Sequence, residues 1–195
     1  MFIQTEDTPN PATLKFLPGK AVLGPDLPAR EFNKTGEDIA GSPLAQMLFM
    51  IPGLKRVFFG NDFISVTKDE DKDWKHLKPA VLGAIMDFYV AGGDVLSPDM
   101  AAAKGHADDD IVYEGETAEV VEQIKEIIDL RVRPAVAQDG GDIVFRRFNE
   151  ESGTVFLEMR GACAGCPSSS MTLKSGIENL LKHYVPEVTA VEQAF

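Results

Sequence analysis

The chain has 195 residues, room for one domain or two small ones. Its 44% hydrophobic and 26% charged residues are the composition of a folded globular protein rather than a disordered one. Basic side chains number 19 against 31 acidic ones, a net charge of −12 that argues against a nucleic-acid binder.

The longest apolar run, Met47 to Ile51, falls far short of the ~20 residues a membrane span needs. Met1 to Asp7 has neither the regions of a secretory signal nor the Arg-rich character of a transit peptide. A cytoplasmic protein is expected, and a processed mitochondrial form would read the same way. Met1 to Thr5 and Leu14 to Leu17 read as extended segments around the turn signal Pro9-Asn10-Pro11. Ser42 suits a helix N-cap, with Pro43 at the first helical position. Leu44, Met47, Leu48 and Ile51 then recur at helical spacing until Pro52-Gly53. Val57 to Phe59 and Phe63 to Thr67 flank Gly60-Asn61-Asp62 as a hairpin. A longer helix is predicted from about Asp71 to Ala91, with Trp74, Leu77, Val81, Ile85 and Phe88 on one face.

Residues 96–116 carry six acidic side chains and one basic one, with no sustained periodicity. Such a stretch buries too little apolar surface to offset its ordering entropy, so it reads as a solvated linker, the Asp108-Asp109-Asp110 run included. The chain therefore divides into 1–95, a linker at 96–116, and 117–195. In the last block Thr117 reads as the N-cap of an amphipathic helix bearing Val120, Val121, Ile124, Ile127 and Ile128, which Pro134 ends or kinks. Asp139-Gly140-Gly141-Asp142 reads as a turn. Ile143 to Phe148 and Thr154 to Met159 read as a hairpin, Ser169 to His183 as a helix, and Val188 to Ala194 as a final strand. The order α-β-β-α-β predicts helices on one face of a small sheet, and the whole chain an α+β protein of two small domains.

Only two cysteines are present, Cys163 and Cys166, separated by Ala164-Gly165 in a loop that joins a strand to a helix. That count excludes a disulfide framework. Two intervening residues let both sulfurs face one metal, and Gly161 and Gly165 permit the backbone geometry this takes. Ser168, Ser169 or Ser170 is placed to cap the following helix, whose N-terminal dipole should lower the cysteine pKa values. Three readings stand open: two free cysteines in a tight turn, a thioredoxin-like dithiol oxidoreductase, or a metal site completed by another chain. Against the second, no Trp precedes the motif and Pro167 follows it rather than lying between the cysteines. For the third, iron–sulfur clusters usually take four thiolates and structural zinc four ligands, so two per chain suggests a symmetric dimer. His76, His106 and His183 lie in different elements and form no ligand pair.

Asp139-Gly140-Gly141-Asp142 followed by the hairpin and Gly161-Ala162-Cys163-Ala164-Gly165-Cys166-Pro167-Ser168-Ser169 resembles the C-terminal domain of NifU-like proteins, the Nfu-type iron–sulfur carriers. Phe2-Ile3-Gln4-Thr5, Thr8-Pro9-Asn10-Pro11, Leu14-Lys15-Phe16, Ser42-Pro43-Leu44-Ala45 and Val57-Phe58-Phe59-Gly60 resemble the N-terminal domain of the same family. The resemblance implies Cys163 and Cys166 as ligands of a labile 4Fe–4S cluster held between two protomers, with a 2Fe–2S form as the variant. It also implies a homodimer through the C-terminal domain when loaded, upstream assembly proteins as donors and apo iron–sulfur proteins as recipients. Neither nucleic acid nor membrane is an expected partner. No acid/base pair, nucleophilic triad or phosphate loop stands out, so no catalysed bond chemistry is expected; the oxidoreductase and a structural zinc dimer remain the alternatives.

Overall fold

A computed structural model describes residues 2–102, 111–165 and 167–194. The chain folds as two units, Met1–Gly105 and His106–Phe195. In the first, short apolar segments between turn residues build an antiparallel sheet. Strands β1 (Gln4–Asp7), β2 (Thr13–Leu17), β3 (Arg30–Asn33), β4 (Leu54–Phe59) and β5 (Ile64–Lys68) lie in the order β1-β2-β5-β4-β3. The expected hairpin is β4–β5, with Phe59 opposite Ile64 and Gly60 N–H donating to the Phe63 carbonyl at 2.9 Å. β3 carries no readable pattern, since only Phe32 of its four residues is buried; pairing with β4 makes it a strand.

Helix α1 (Pro43–Phe49) starts where its cap chemistry places it. The Ser42 hydroxyl accepts from Ala45 N–H at 3.2 Å and donates to the Val95 carbonyl at 2.7 Å. Helix α2 (Trp74–Ala91) is capped by the Asp73 carboxylate and stops at Gly92 in the left-handed region. Leu77, Val81, Ile85 and Phe88 of α2 join Leu44 and Leu48 of α1 in one core with Phe16, Val57, Phe59, Ile64 and Val66 of the sheet.

A few side chains at each end of the 96–116 stretch pack on a core, while most of their described neighbours are exposed. Leu96 is buried in the first core, and α3 (Pro98–Ala102) sets Met100 and Ala101 against it. Arg30 donates to the Met100 carbonyl at 3.1 Å. At the far end, Tyr113 packs on the second core and its hydroxyl accepts from Phe148 N–H at 2.8 Å. A few large apolar groups suffice to hold a polar stretch where a receiving surface exists. Asp108-Asp109-Asp110 and His106 lie outside the described residues.

Tyr113 anchors the chain just ahead of α4 (Gly115–Ile127), which begins before Thr117. Glu114 occupies the cap position without a side-chain bond, so Thr117 lies inside the helix and is not its cap. Pro134 does not end the helical run. Ile128–Val132 widens into a π-helical turn closed by Arg133 N–H on the Ile128 carbonyl, and α5 (Arg133–Gln138) continues with Pro134 near its start. Proline has no N–H to give and crowds the preceding turn, and the wider turn accommodates both deficits.

Strands β6 (Gly141–Asn149), β7 (Thr154–Gly161) and β8 (Ala190–Gln193) form the second sheet in the order β6-β7-β8. β6 and β7 pair antiparallel; β7 and β8 pair parallel, with α6 (Pro167–Tyr184) as the crossover that parallel pairing requires. Val155, Leu157 and Met159 alternate inward from β7 and meet Val121, Ile124, Ile128, Val136, Ile177 and Leu181 of the helices. The helices thus share one face of a small sheet. The fold is α+β in two units, as expected. Among the described residues no helix is long and apolar enough to cross a membrane.

Candidate metal centre

β7 ends at Gly161 with φ +64°, and the chain turns through Ala162, Cys163, Ala164 and Gly165 at φ +82° toward α6. Residues with a Cβ resist such positive φ values, which is why glycine brackets the loop. Ala164 N–H donates to the Gly161 carbonyl at 3.2 Å, closing the turn on itself. Ala162 N–H donates to the Gly140 carbonyl at 3.1 Å, tying the loop to the turn before β6. Gly161 is still paired with Gly141 across the sheet.

This closure buries Cys163, which is 7% exposed and belongs to the second core. Its sulfur rests against Gly141, where an added Cβ would stand 2.6 Å from Sγ and 2.7 Å from the Arg160 carbonyl. A side chain at position 141 would therefore collide with both the loop and the neighbouring strand. The adjacent Asp142, expected only as a turn residue, is a buried side chain at the start of β6. Arg133 Nε and Nη2 donate to its two carboxylate oxygens at 2.8 and 3.0 Å. Asp142 Oδ1 also accepts from Ile143 N–H at 2.9 Å. Arg160, opposite Asp142 in the sheet register, pairs with Glu158 at 2.7 Å. Nothing in the periodicity pointed to Arg133. The available signal was an arginine ahead of the proline and an aspartate nine residues on.

The expectation of a lowered thiol pKa is corrected for Cys163. Burial pushes its thiol up to about 12, and the Asp139 and Asp142 carboxylates push in the same direction. A thiolate there would lose its solvation and face negative charge. In the folded metal-free unit the thiol thus holds its proton above the ordinary value of 9.0. That contribution to stability is fully present below pH 9 and is lost as the pH rises toward 12, because the unfolded chain gives up the proton first. Metal-free protein should therefore lose stability above that onset at no more than about 1.4 kcal/mol per pH unit. Urea unfolding from neutral to alkaline pH measures it, and Cys163→Ala should lack this component.

Cys166 lies outside the described residues, and the side chains of Ser168, Ser169 and Ser170 do as well. Among the described residues no three His, Cys, Asp or Glu side chains come together as a metal cage. His183 sits in the last turn of α6 with its ring edge-on to Tyr184, and His76 belongs to α2. Thiols are the right donors for iron or zinc, but the described residues supply too few of them to enclose either metal.

The fold and the loop define a two-unit α+β protein with paired cysteines at a strand-to-helix junction. Residues 3–92 match the family described as "Scaffold protein Nfu/NifU N terminal", and residues 124–192 match the "NifU-like domain". Over 195 residues the chain is 51% identical to "NifU-like protein 4, mitochondrial" and 48% identical to "NifU-like protein 5, mitochondrial", both of Arabidopsis thaliana. It is also 48% identical over 199 residues to "NFU1 iron-sulfur cluster scaffold homolog, mitochondrial" of Drosophila sechellia. These matches take in 100% of this chain and 66%, 68% and 65% of those proteins, so it spans about two thirds of their length. The chain belongs to the Nfu/NifU family.

Proposed function

We propose that the chain is an iron–sulfur cluster scaffold and carrier that acts through residues 117–195. Two chains each contribute Cys163 and Cys166 to one 4Fe–4S cluster at the seam of a homodimer. The observation that carries this reading is that both of the chain's cysteines fall in one strand-to-helix loop, two residues apart, with Gly161 and Gly165 at positive φ. A ligand set split between two chains leaves the cluster accessible to a recipient. Each incoming thiol gives up its proton as it binds iron, and the released Cys163 or Cys166 takes one back. The same exchange in reverse, with an upstream assembly protein as donor, loads the carrier. Kinship with the Drosophila relative, named as an iron–sulfur cluster scaffold homologue, supports the reading.

The cluster is cargo, so no reaction is catalysed on it. A dithiol oxidoreductase is disfavoured, because its attacking cysteine works as a low-pKa thiolate and the Cys163 thiol is pushed up by burial. Of compartment, the reading requires only a reducing one; the three relatives are named as mitochondrial proteins.

Anaerobic reconstitution with iron and sulfide tests the proposal. The expected product is a brown dimer with about four irons per two chains, or about two for a 2Fe–2S form. A colourless monomer overturns it. Stoichiometric zinc without iron in anaerobically purified protein would make the site structural instead, and reduction of insulin disulfides would restore the oxidoreductase.

A further inference from the structure

We propose that Arg133 is a positioning residue for the cysteine loop: through Asp142 it fixes the Gly140–Gly141 turn on which Cys163 rests, sheltering that thiol in the metal-free chain. The inference rests on Cys163 being a cluster ligand, since only then does its shelter bear on loading.

Arg133 stands at the junction of the π-helical turn and α5. Its guanidinium grips both oxygens of Asp142, and Ile143 N–H holds one of them from the other side. Asp142 is thereby fixed at three points. It directly follows Gly141, against which the Cys163 sulfur lies. Gly140, one residue further back, accepts from Ala162 N–H next to Cys163. Both supports of the cysteine thus belong to the turn that Asp142 pins. Only the planar fork of arginine makes this bidentate bond; lysine keeps the charge and loses the geometry.

A cysteine residue only 7% exposed, its sulfur set against Gly141, is not presented to a second chain. Loading therefore requires the loop to lift off the turn, and the Arg133–Asp142 pair sets how firmly the resting loop is seated. Asp129, which also accepts from Arg133 at 3.1 Å, orients the guanidinium from the exposed side.

The test uses metal-free protein carrying Cys166→Ser, so that Cys163 is the sole thiol. N-ethylmaleimide labelling at fixed pH is followed together with hydrogen exchange of the Ala162 amide. Adding Arg133→Gln should raise the labelling rate roughly tenfold or more and speed Ala162 exchange, with the far-ultraviolet circular dichroism unchanged. Arg133→Lys should fall between the two, and this milder change keeps the measurement available should the glutamine variant fail to fold. Unaltered labelling and exchange in a folded Arg133 variant overturn the proposal. So does a Cys163 that labels as fast as free cysteine when Arg133 is intact. No iron enters the measurement, so a failure of the cluster reading would appear separately, as a colourless reconstitution.

Discussion

Cys163→Ser should remove roughly nine-tenths or more of the iron retained after anaerobic reconstitution, and the iron-dependent dimer with it. Each ligand in a four-thiolate set carries a large share of the binding, and a serine hydroxyl is a poor donor to iron. Cys166→Ser should have the same effect. The position of Cys163 in the core adds a second consequence, because the hydroxyl introduces a buried polar group. The metal-free variant should be less stable by about 1–3 kcal/mol if that hydroxyl finds no partner. Cys163→Ala separates the two effects: it should lose the iron equally while disturbing the core less. Iron and sulfide analysis, size-exclusion chromatography and urea unfolding measure the three quantities. Retention of half the iron by either serine variant would exclude the shared four-thiolate site.

The largest effect on the fold is expected at Leu157. This residue lies fully buried on β7, between Phe145 of β6 and Gln193 of β8. Truncation to alanine leaves a cavity that the surrounding sheet and helices close only in part. The second unit should lose about 2–5 kcal/mol, a large fraction of the 5–15 kcal/mol typical of a whole domain. Urea unfolding should show a lower midpoint with an unchanged slope. The 81% exposed Val112, replaced by alanine, should stay within about 0.5 kcal/mol of the parent. A loss below about 1 kcal/mol at Leu157 would contradict the packing of the helices on this sheet face.

Much of the fold was legible because its rules are local. Ser42 before Pro43 has one good use, a helix start, and the structure uses it so. The Phe-rich runs around Gly60-Asn61-Asp62 could hardly be other than a hairpin, and the α-β-β-α-β order already implied helices on one sheet face. β3 was hidden because a four-residue edge strand with one buried side chain has no periodicity of its own. Pro134 does coincide with a break in regular α-geometry, but the π-helical turn ahead of it lets the helical run go on, which periodicity alone does not show. The 96–116 stretch looked solvated by composition, yet Leu96, Met100 and Tyr113 are claimed by cores that composition cannot display.

The sequence by itself determined that this chain carries two thiols in one loop, that glycine shapes the loop, and that the family is Nfu/NifU. The first two follow from residue identity and spacing, which a sequence states outright, and the third from likeness to known members of the family. Only the tertiary structure decided that Cys163 is sheltered, with its thiol pushed up rather than down, and that Arg133 reaches Asp142 to hold the turn beneath it. The helix-dipole argument is local and points toward a thiolate. Desolvation and the two nearby carboxylates depend on which surfaces meet when α5, β6 and β7 pack, and at Cys163 they push the thiol up.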